Sequence, residues 1–134
     1  MIADMQKWTP NIASIIEHAN QFHPNTEVVS RMVSGNIHKT NYSEVCTRSR
    51  KLASALEKDG YKEGDVIATL ALNTYRHLEM YYGISGMGGI NHTLNFRLHP
   101  EQAVYIINHA EDKVIFCETP FIPVSYTHLR AHET

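Results

Sequence analysis

Residues 66–72 read VIATLAL, a nearly continuous apolar run that follows a turn at Gly64-Asp65. A short apolar run bounded by a turn is typical of a strand that is buried on both faces. Downstream of it, strands and helices are predicted to alternate: a helix at 74–87, a short strand at 90–94, a helix at 100–111 and a buried strand at 114–117. This order predicts an α/β fold, a doubly wound and mostly parallel sheet with flanking helices. A parallel sheet of only these three strands would leave an apolar edge uncovered. The sheet is therefore expected to be incomplete.

Upstream of this run, the segment at 41–59 has the clearest helical pattern. Asn41 can cap this helix, and Glu44 stands three residues later, where a capping box has its acidic partner. Gly60 follows directly and is expected to end the helix. The remaining upstream elements are predicted to be a helix and a β-hairpin, at 11–22 and at 27–30 with 35–38.

The composition is that of a globular protein. Of the 134 residues, 43% are hydrophobic and 19% are charged, which excludes a disordered chain. The formal net charge of -2 gives no basic excess, so no nucleic-acid partner is expected. Two distant cysteines indicate neither a disulfide framework nor a metal cluster, which favours a reducing compartment.

The N-terminus lacks a signal-peptide pattern, and the longest uncharged stretch, 80–96, is short and contains polar residues. We therefore expect a cytoplasmic protein without a transmembrane segment.

The last eleven residues, 124–134, read VSYTHLRAHET. This string matches the translation of a transposase sequencing adapter in its third forward frame. Residues 124–134 are therefore expected to be an adapter-derived tail that is not native, and the gene is expected to continue past Pro123. His128 and His132 have the i, i+4 spacing of a metal pair on a helix, but an adapter-derived origin argues against a metal site there.

Four glycines, at 83, 86, 88 and 89, invite comparison with a phosphate-binding loop. Their spacing does not match GxGxxG, and they fall at the end of a predicted helix, whereas such loops precede a helix. A helix C-terminus presents carbonyl groups, which repel phosphate. The run GISGM at 83–87 also lacks the final glycine of a nucleophile elbow. These glycines are therefore predicted to allow close packing and to end the helix.

The histidines outside the tail show no metal-ligand pattern. None is paired with a cysteine or a carboxylate at a metal-ligand spacing, so no metal site is predicted. His92 is different because it lies in a short strand near the carboxyl edge of the predicted sheet, where open α/β sheets bind ligands. A lone histidine is more often structural, so both roles stay open for His92.

Several longer motifs resemble those of a known family. They are NHTLNFRL at 91–98, YIINHAED at 105–112 and, upstream, HKTNYSE at 38–44. Together they resemble the N-terminal subdomain of the AMP-forming acyl-CoA synthetases, which belong to the acyl-adenylate-forming superfamily. The resemblance runs over nearly all of residues 8–120. It is closest to the bacterial medium- and long-chain fatty acyl-CoA ligases and their methylthiopropanoate-activating relatives.

This resemblance implies a ligase that uses ATP, Mg²⁺ and coenzyme A. A carboxylic-acid substrate, fatty or of another class, would be activated as an acyl-adenylate and transferred to the thiol of coenzyme A. Residues 1–123 would be a partial N-terminal AMP-binding domain. Some relatives use their N-terminal segment in dimer contacts, so the full-length enzyme is a candidate homodimer.

The residues that perform this chemistry in the family have no counterpart in this chain. The Thr/Ser/Gly-rich phosphate loop, the adenine- and ribose-contacting motifs and the catalytic lysine are all absent. No catalytic, cofactor-binding or metal-binding residue can therefore be assigned, and the polypeptide alone is expected to be inactive and to bind none of the cofactors well. His92, Thr93 and Asn95 are the candidate substrate-binding residues, near the acyl pocket.

An alternative hypothesis is a small free-standing α/β binding module, flavodoxin-like and without catalysis. Such a module would have a complete sheet with polar outer faces. It would unfold cooperatively as a monomer.

Overall fold

The computed structural model describes residues 8–123, which contain four α-helices and five strands. In chain order they are α1 Ile12–Phe22, β1 Glu27–Arg31, β2 Ile37–Asn41, α2 Tyr42–Lys58, β3 Val66–Leu70, α3 Tyr75–Gly86, β4 Ile90–Thr93, α4 Pro100–Ala110 and β5 Val114–Cys117, and a short 3-10 helix follows at Thr119–Phe121. Each predicted helix and strand is present within a few residues of its expected bounds. Within the described range, none of the helices has the length and apolar character needed to cross a bilayer.

The apolar run that contains β3 forms the centre of a three-stranded sheet with the order β4-β3-β5. Both pairings are parallel, with Ala68 opposite His92 on one side and opposite Ile115 on the other. The chain moves from β3 to its neighbour β4 and then returns past β3 to place β5 on the far side. The predicted parallel sheet is confirmed.

The two faces of β3 pack against different helices. Ile67 is fully buried with Leu56 of α2 and Ile84 of α3. Its neighbour Ala68 points to the opposite face and packs in a cluster with Ile107 of α4. Helices therefore cover both faces, which confirms the doubly wound arrangement. Complete burial of a side chain such as Ile67 contributes roughly 1.5–3 kcal/mol to stability.

Strand β5 differs from its prediction. Its sequence, VIFC, indicated a strand buried on both faces, but all four residues are only half-buried. β5 is an edge strand of the described sheet, so it has a neighbouring strand on one side only. The sequence gives the apolar composition of β5, whereas its position at the edge of the sheet determines how much of its surface is buried.

Helix α2 begins as its sequence predicted, with one difference. The Glu44 N–H donates to Asn41 Oδ1 at 2.9 Å, so Asn41 is the N-cap. The difference lies in the partner of the Glu44 side chain. Its carboxylate accepts a hydrogen bond from the Thr40 hydroxyl, whereas in a capping box the donor is the N–H of the N-cap residue. The helix ends before Gly60, whose φ of 94° is a left-handed geometry that glycine adopts without strain.

The hairpin β1–β2 is antiparallel, as predicted. The hairpin and α1 both pack against α2 and α3. Ile16 of α1 forms a buried cluster with Val45 and Cys46 of α2. Burial, together with the nearby Glu17 carboxylate, raises the pKa of the Cys46 thiol, so this cysteine is held in its unreactive thiol form. This layer adds a second small core outside the main sheet.

Candidate functional site

The carboxyl edge of the sheet is the candidate site. Strands β3 and β4 are neighbours, but α3 and α4, which follow them, lie on opposite faces. Such a switch point leaves a crevice outside the carboxyl ends of the two strands, and open α/β sheets bind their ligands there. The chain segments at this edge are the β3–α3 loop at 71–74, the β4–α4 loop at 94–99 and Glu118 after β5.

Glu118 holds the β3–α3 loop in place. Its carboxylate accepts the Leu72 N–H at 2.9 Å, and its own N–H donates to the Leu70 carbonyl at 3.0 Å. Asn95 shapes the β4–α4 loop, because its Oδ1 accepts the Arg97 N–H at 3.0 Å in an Asx-type turn. Both loops are therefore ordered by side-chain hydrogen bonds to the backbone.

The structure does not bring the three predicted substrate-binding side chains together. His92 and Thr93 are adjacent in β4, so they point to opposite faces of the sheet. Thr93 lies opposite Thr69 and is exposed, and Asn95 is exposed beyond the end of the strand. Thr93 and Asn95 are accessible to a ligand at the carboxyl edge, whereas His92 has a partner elsewhere.

His92 is tied to a buried carboxylate. Its Nδ1 lies 2.9 Å from both carboxylate oxygens of Asp112, whose side chain is 0% exposed, whereas that of His92 is 24% exposed. Asp112 lies in the turn between α4 and β5, so the contact joins β4 to that turn. His92 therefore provides a partner for a carboxylate that is removed from solvent. Sequence reasoning missed Asp112, because no local pattern links two residues that are 20 positions apart.

A second polar cluster, also absent from the sequence predictions, lies between β3, β4 and α3. Nε2 of His77 is 3.1 Å from the hydroxyl of Thr69, and that hydroxyl donates to Asn91 Oδ1 at 3.3 Å. Thr69 and His77 are both buried. Within residues 8–123, His77 Nδ1 and Asn91 Nδ2 are buried without a hydrogen-bond partner.

Burial lowers the pKa of His77, an effect that the Glu118 carboxylate partly opposes. In the unfolded chain the pKa is near the ordinary histidine value of about 6.5. Because the pKa of the folded state is lower, the unfolded state binds more protons between the two values. The stability that the neutral ring provides is thus complete above the unfolded pKa and decreases as the pH falls below it.

We therefore expect the wild-type chain to lose free energy of unfolding between pH 7.5 and pH 5.5, and His77→Gln to lose less. Urea unfolding of both proteins at the two pH values measures the difference, and other titrating groups cancel because they are common to both. Equal pH dependence in the two proteins would contradict this expectation, because it would show that the pKa of His77 is the same in the folded and unfolded states.

The glycines at 83–89 have the structural roles predicted for them. At Gly83, an added Cβ would lie 2.9 Å from Leu52 Cδ2 and 3.0 Å from the Ser49 carbonyl oxygen, so the glycine permits close contact between α2 and α3. Gly88, after the end of α3, has a φ of 82°. The segment therefore packs helices and ends one of them.

The described residues contain neither a three-ligand metal cluster nor a glycine loop that precedes a helix. Between residues 8 and 123, no group of three His, Cys, Asp or Glu side chains is arranged to hold a metal ion. The glycines follow a helix, so they do not offer the N–H groups of a helix N-terminus to a phosphate. His128, His132 and the whole segment at 124–134 lie outside the described residues.

The fold and this edge place the chain in the class of open α/β sheets that bind ligands at a topological switch point. Residues 16–133 match the sequence profile of the AMP-binding enzymes. The chain belongs to this family of AMP-binding enzymes.

In sequence, the chain is similar to coenzyme A ligases. The chain is 46% identical over 124 residues to 3-methylmercaptopropionyl-CoA ligase of Ruegeria lacuscaerulensis, covering 92% of this chain and 23% of that protein. It is 47% identical over 124 residues to the medium-chain-fatty-acid–CoA ligase of Ectopseudomonas oleovorans, with the same coverage of 92% and 23%. The chain thus spans less than a quarter of the length of these relatives. The match does not favour a free-standing flavodoxin-like module.

Solved structures share the fold. The inhibitor-bound N-terminal domain of FACL13 from Mycobacterium tuberculosis superimposes with a TM-score of 0.83 at 21% identity, covering 94% of this chain and 31% of that chain. The anthranilate CoA ligase AuaEII, in complex with anthranoyl-AMP, gives a TM-score of 0.81 at 20% identity over 96% of this chain and 24% of that one. At these identities, the likeness supports the fold alone.

Proposed function

We propose that this chain is part of an ATP-dependent acyl-CoA ligase, which activates a carboxylic acid through an acyl-adenylate and transfers the acyl group to coenzyme A. The identity of 46% and 47% to two named CoA ligases, over 124 residues each, is the observation that carries the proposal. The proposal concerns the whole enzyme, because the matched part covers 23% of each relative.

In the proposed reaction, the substrate carboxylate attacks the α-phosphate of ATP and pyrophosphate leaves. The coenzyme A thiol then displaces AMP from the acyl-adenylate. Both steps need positive charge near the phosphates and a fixed orientation of the reacting groups. The described residues supply neither the metal site nor the phosphate loop, so their contribution is the ordered carboxyl edge held by Glu118 and Asn95.

The substrate is proposed to be a fatty acid or another carboxylic acid, because one relative is named as a medium-chain-fatty-acid ligase and another as a ligase of 3-methylmercaptopropionate. Thr93 and Asn95 are exposed near the carboxyl edge, which supports a place near the acyl group. His92 is proposed to act there only indirectly, by fixing β4. Magnesium as the ATP counter-ion, a homodimer, a cytoplasmic location and the absence of a nucleic-acid partner remain part of this proposal.

The proposal is tested by comparing this polypeptide with the protein encoded by a longer clone of the gene. With ATP, Mg²⁺, coenzyme A and a panel of carboxylic acids from acetate to palmitate, we expect acyl-CoA and AMP from the longer protein. This polypeptide is expected to form neither. Product masses identify the acid that is used.

The same clone tests the division of the chain at residue 123. We expect its reading frame to depart from VSYTHLRAHET after codon 123 and to encode a Thr/Ser/Gly-rich loop with Pro-Lys-Gly. A clone that retains the eleven residues and then stops would contradict both the adapter origin and the ligase.

A further inference from the structure

A groove of about 360 Å³ lies between helices α2 and α3, on the surface of the helical layer. Three residues of each helix line it: Arg48, Lys51 and Leu52 from α2, and Arg76, Glu79 and Met80 from α3. The i, i+3, i+4 spacing on both helices puts each set on one ridge, so the two ridges face each other. Leu52 and Met80 also pack on the main core, and they give the groove an apolar floor.

The charges of this groove do not balance. Its one carboxylate, Glu79, is engaged by Arg48, with Nε 2.6 Å from Oε1. Within residues 8–123, neither Lys51 nor Arg76 has a carboxylate within ion-pair distance. Glu44, one turn before Arg48, accepts a hydrogen bond from the Thr40 hydroxyl and acts electrostatically on Arg48. The groove therefore carries two positive charges, Lys51 and Arg76, that form no ion pair with a described side chain.

The two guanidinium groups are held in place. The Glu79 side chain is only 8% exposed and anchors Arg48, whose own side chain remains 55% exposed. The Cζ atoms of Arg48 and Arg76 lie 5.9 Å and 5.7 Å from the centre of the Tyr75 ring, and Arg76 Nε donates to the Tyr75 hydroxyl at 3.2 Å. Cations that are already positioned lose less side-chain entropy when they bind an anion.

We propose that this groove binds a phosphate-bearing ligand, with Arg76 and Lys51 contacting the phosphate oxygens and Arg48 at its edge. Phosphate fits because it carries up to two negative charges, which match the two cations that form no ion pair within residues 8–123, and because guanidinium groups bind its oxygens in pairs. The proposal goes beyond the ligase function and stands on the charge and geometry of the groove alone.

Inorganic pyrophosphate is the first probe, titrated into the whole 134-residue chain at constant ionic strength, with binding followed by calorimetry and by amide NMR shifts. Because the site is open to solvent, we expect saturable binding with a dissociation constant on the order of a millimolar. Lys51→Gln and Arg76→Gln should each weaken binding about fivefold. Lys62→Gln removes the same charge from an exposed turn outside the groove, and it should leave the constant within about twofold.

ATP and coenzyme A form the other two arms of the experiment. Tighter binding of one of them than of pyrophosphate would identify the carrier of the phosphate, and tighter binding of pyrophosphate would identify the free anion. The proposal is overturned if the chain shows no saturable binding of any of the three. It is also overturned if Lys62→Gln weakens binding as much as Lys51→Gln and Arg76→Gln do. The same conclusion follows if Lys51→Gln and Arg76→Gln have a wild-type circular dichroism spectrum and still bind as tightly as the parent chain.

Discussion

Replacing His92 with alanine is expected to lower the free energy of unfolding by about 3 kcal/mol. The reason is the Asp112 carboxylate, whose side chain is 0% exposed and whose two oxygens both lie 2.9 Å from His92 Nδ1. Without the ring, a buried acidic group is left without this partner, and such a loss costs more than the contact itself contributes. Urea unfolding at pH 7.5 measures the change.

Two controls separate this structural role from a substrate-binding role. Thr93→Ala changes the exposed neighbour of His92 and is expected to alter stability by less than about 0.5 kcal/mol. Asp112→Asn, introduced together with His92→Ala, should recover part of the loss, because a neutral amide is cheaper to bury than a carboxylate. Wild-type stability of His92→Ala, with a raised KM for the acid in the longer enzyme, would instead support direct substrate contact.

Gly83→Leu is expected to destabilise the fold by about 3 kcal/mol, at the upper end of what overpacking costs. Its first carbon would lie 3.0 Å from the Ser49 carbonyl oxygen, which is backbone, and 2.9 Å from Leu52 Cδ2. Accommodating a larger side chain there requires α2 and α3 to separate, which would expose Leu56 and Ile84 of the core between them and the sheet. Thermal and urea unfolding measure the loss.

Gly86 provides the matched control in the same helix. An added Cβ at Gly86 meets nothing within 4 Å. Gly86→Ala should therefore stabilise α3 by up to about 1 kcal/mol through helix propensity. If both substitutions destabilised equally, the cost at position 83 would belong to the backbone of α3 and not to its contact with α2.

The elements of the fold were largely predictable because their signals are local. Asn41 caps α2 through a residue three positions away, and Gly60 ends the helix through its own backbone. The run at 66–72 identified the central strand because a short, continuously apolar run between turns is typical of a strand covered on both faces. The alternation of such short-range patterns was sufficient for the doubly wound topology, since handedness rules leave few other connections.

The candidate site was predictable only in its position at the carboxyl edge, near the end of β4. The partners of its side chains come from distant parts of the chain: His92 meets Asp112 across 20 residues, and Glu118 accepts the Leu72 N–H across 46. Neither separation produces a periodic pattern in the sequence, because both contacts depend on how strands and turns meet after the sheet has formed. The pairing of His77 with Thr69 spans eight residues but joins a helix to a strand, so its spacing carries no signal either.

Local sequence was thus sufficient for the identity of the helices and strands and for the class of fold, since hydrogen bonding and side-chain periodicity act within a few residues. Tertiary structure alone decided the half-burial of β5, the burial of Asp112 and the placement of Lys51 and Arg76 between α2 and α3, away from the carboxylates of residues 8–123. Burial and charge balance are sums over neighbours in space, and a chain acquires those neighbours only when it folds.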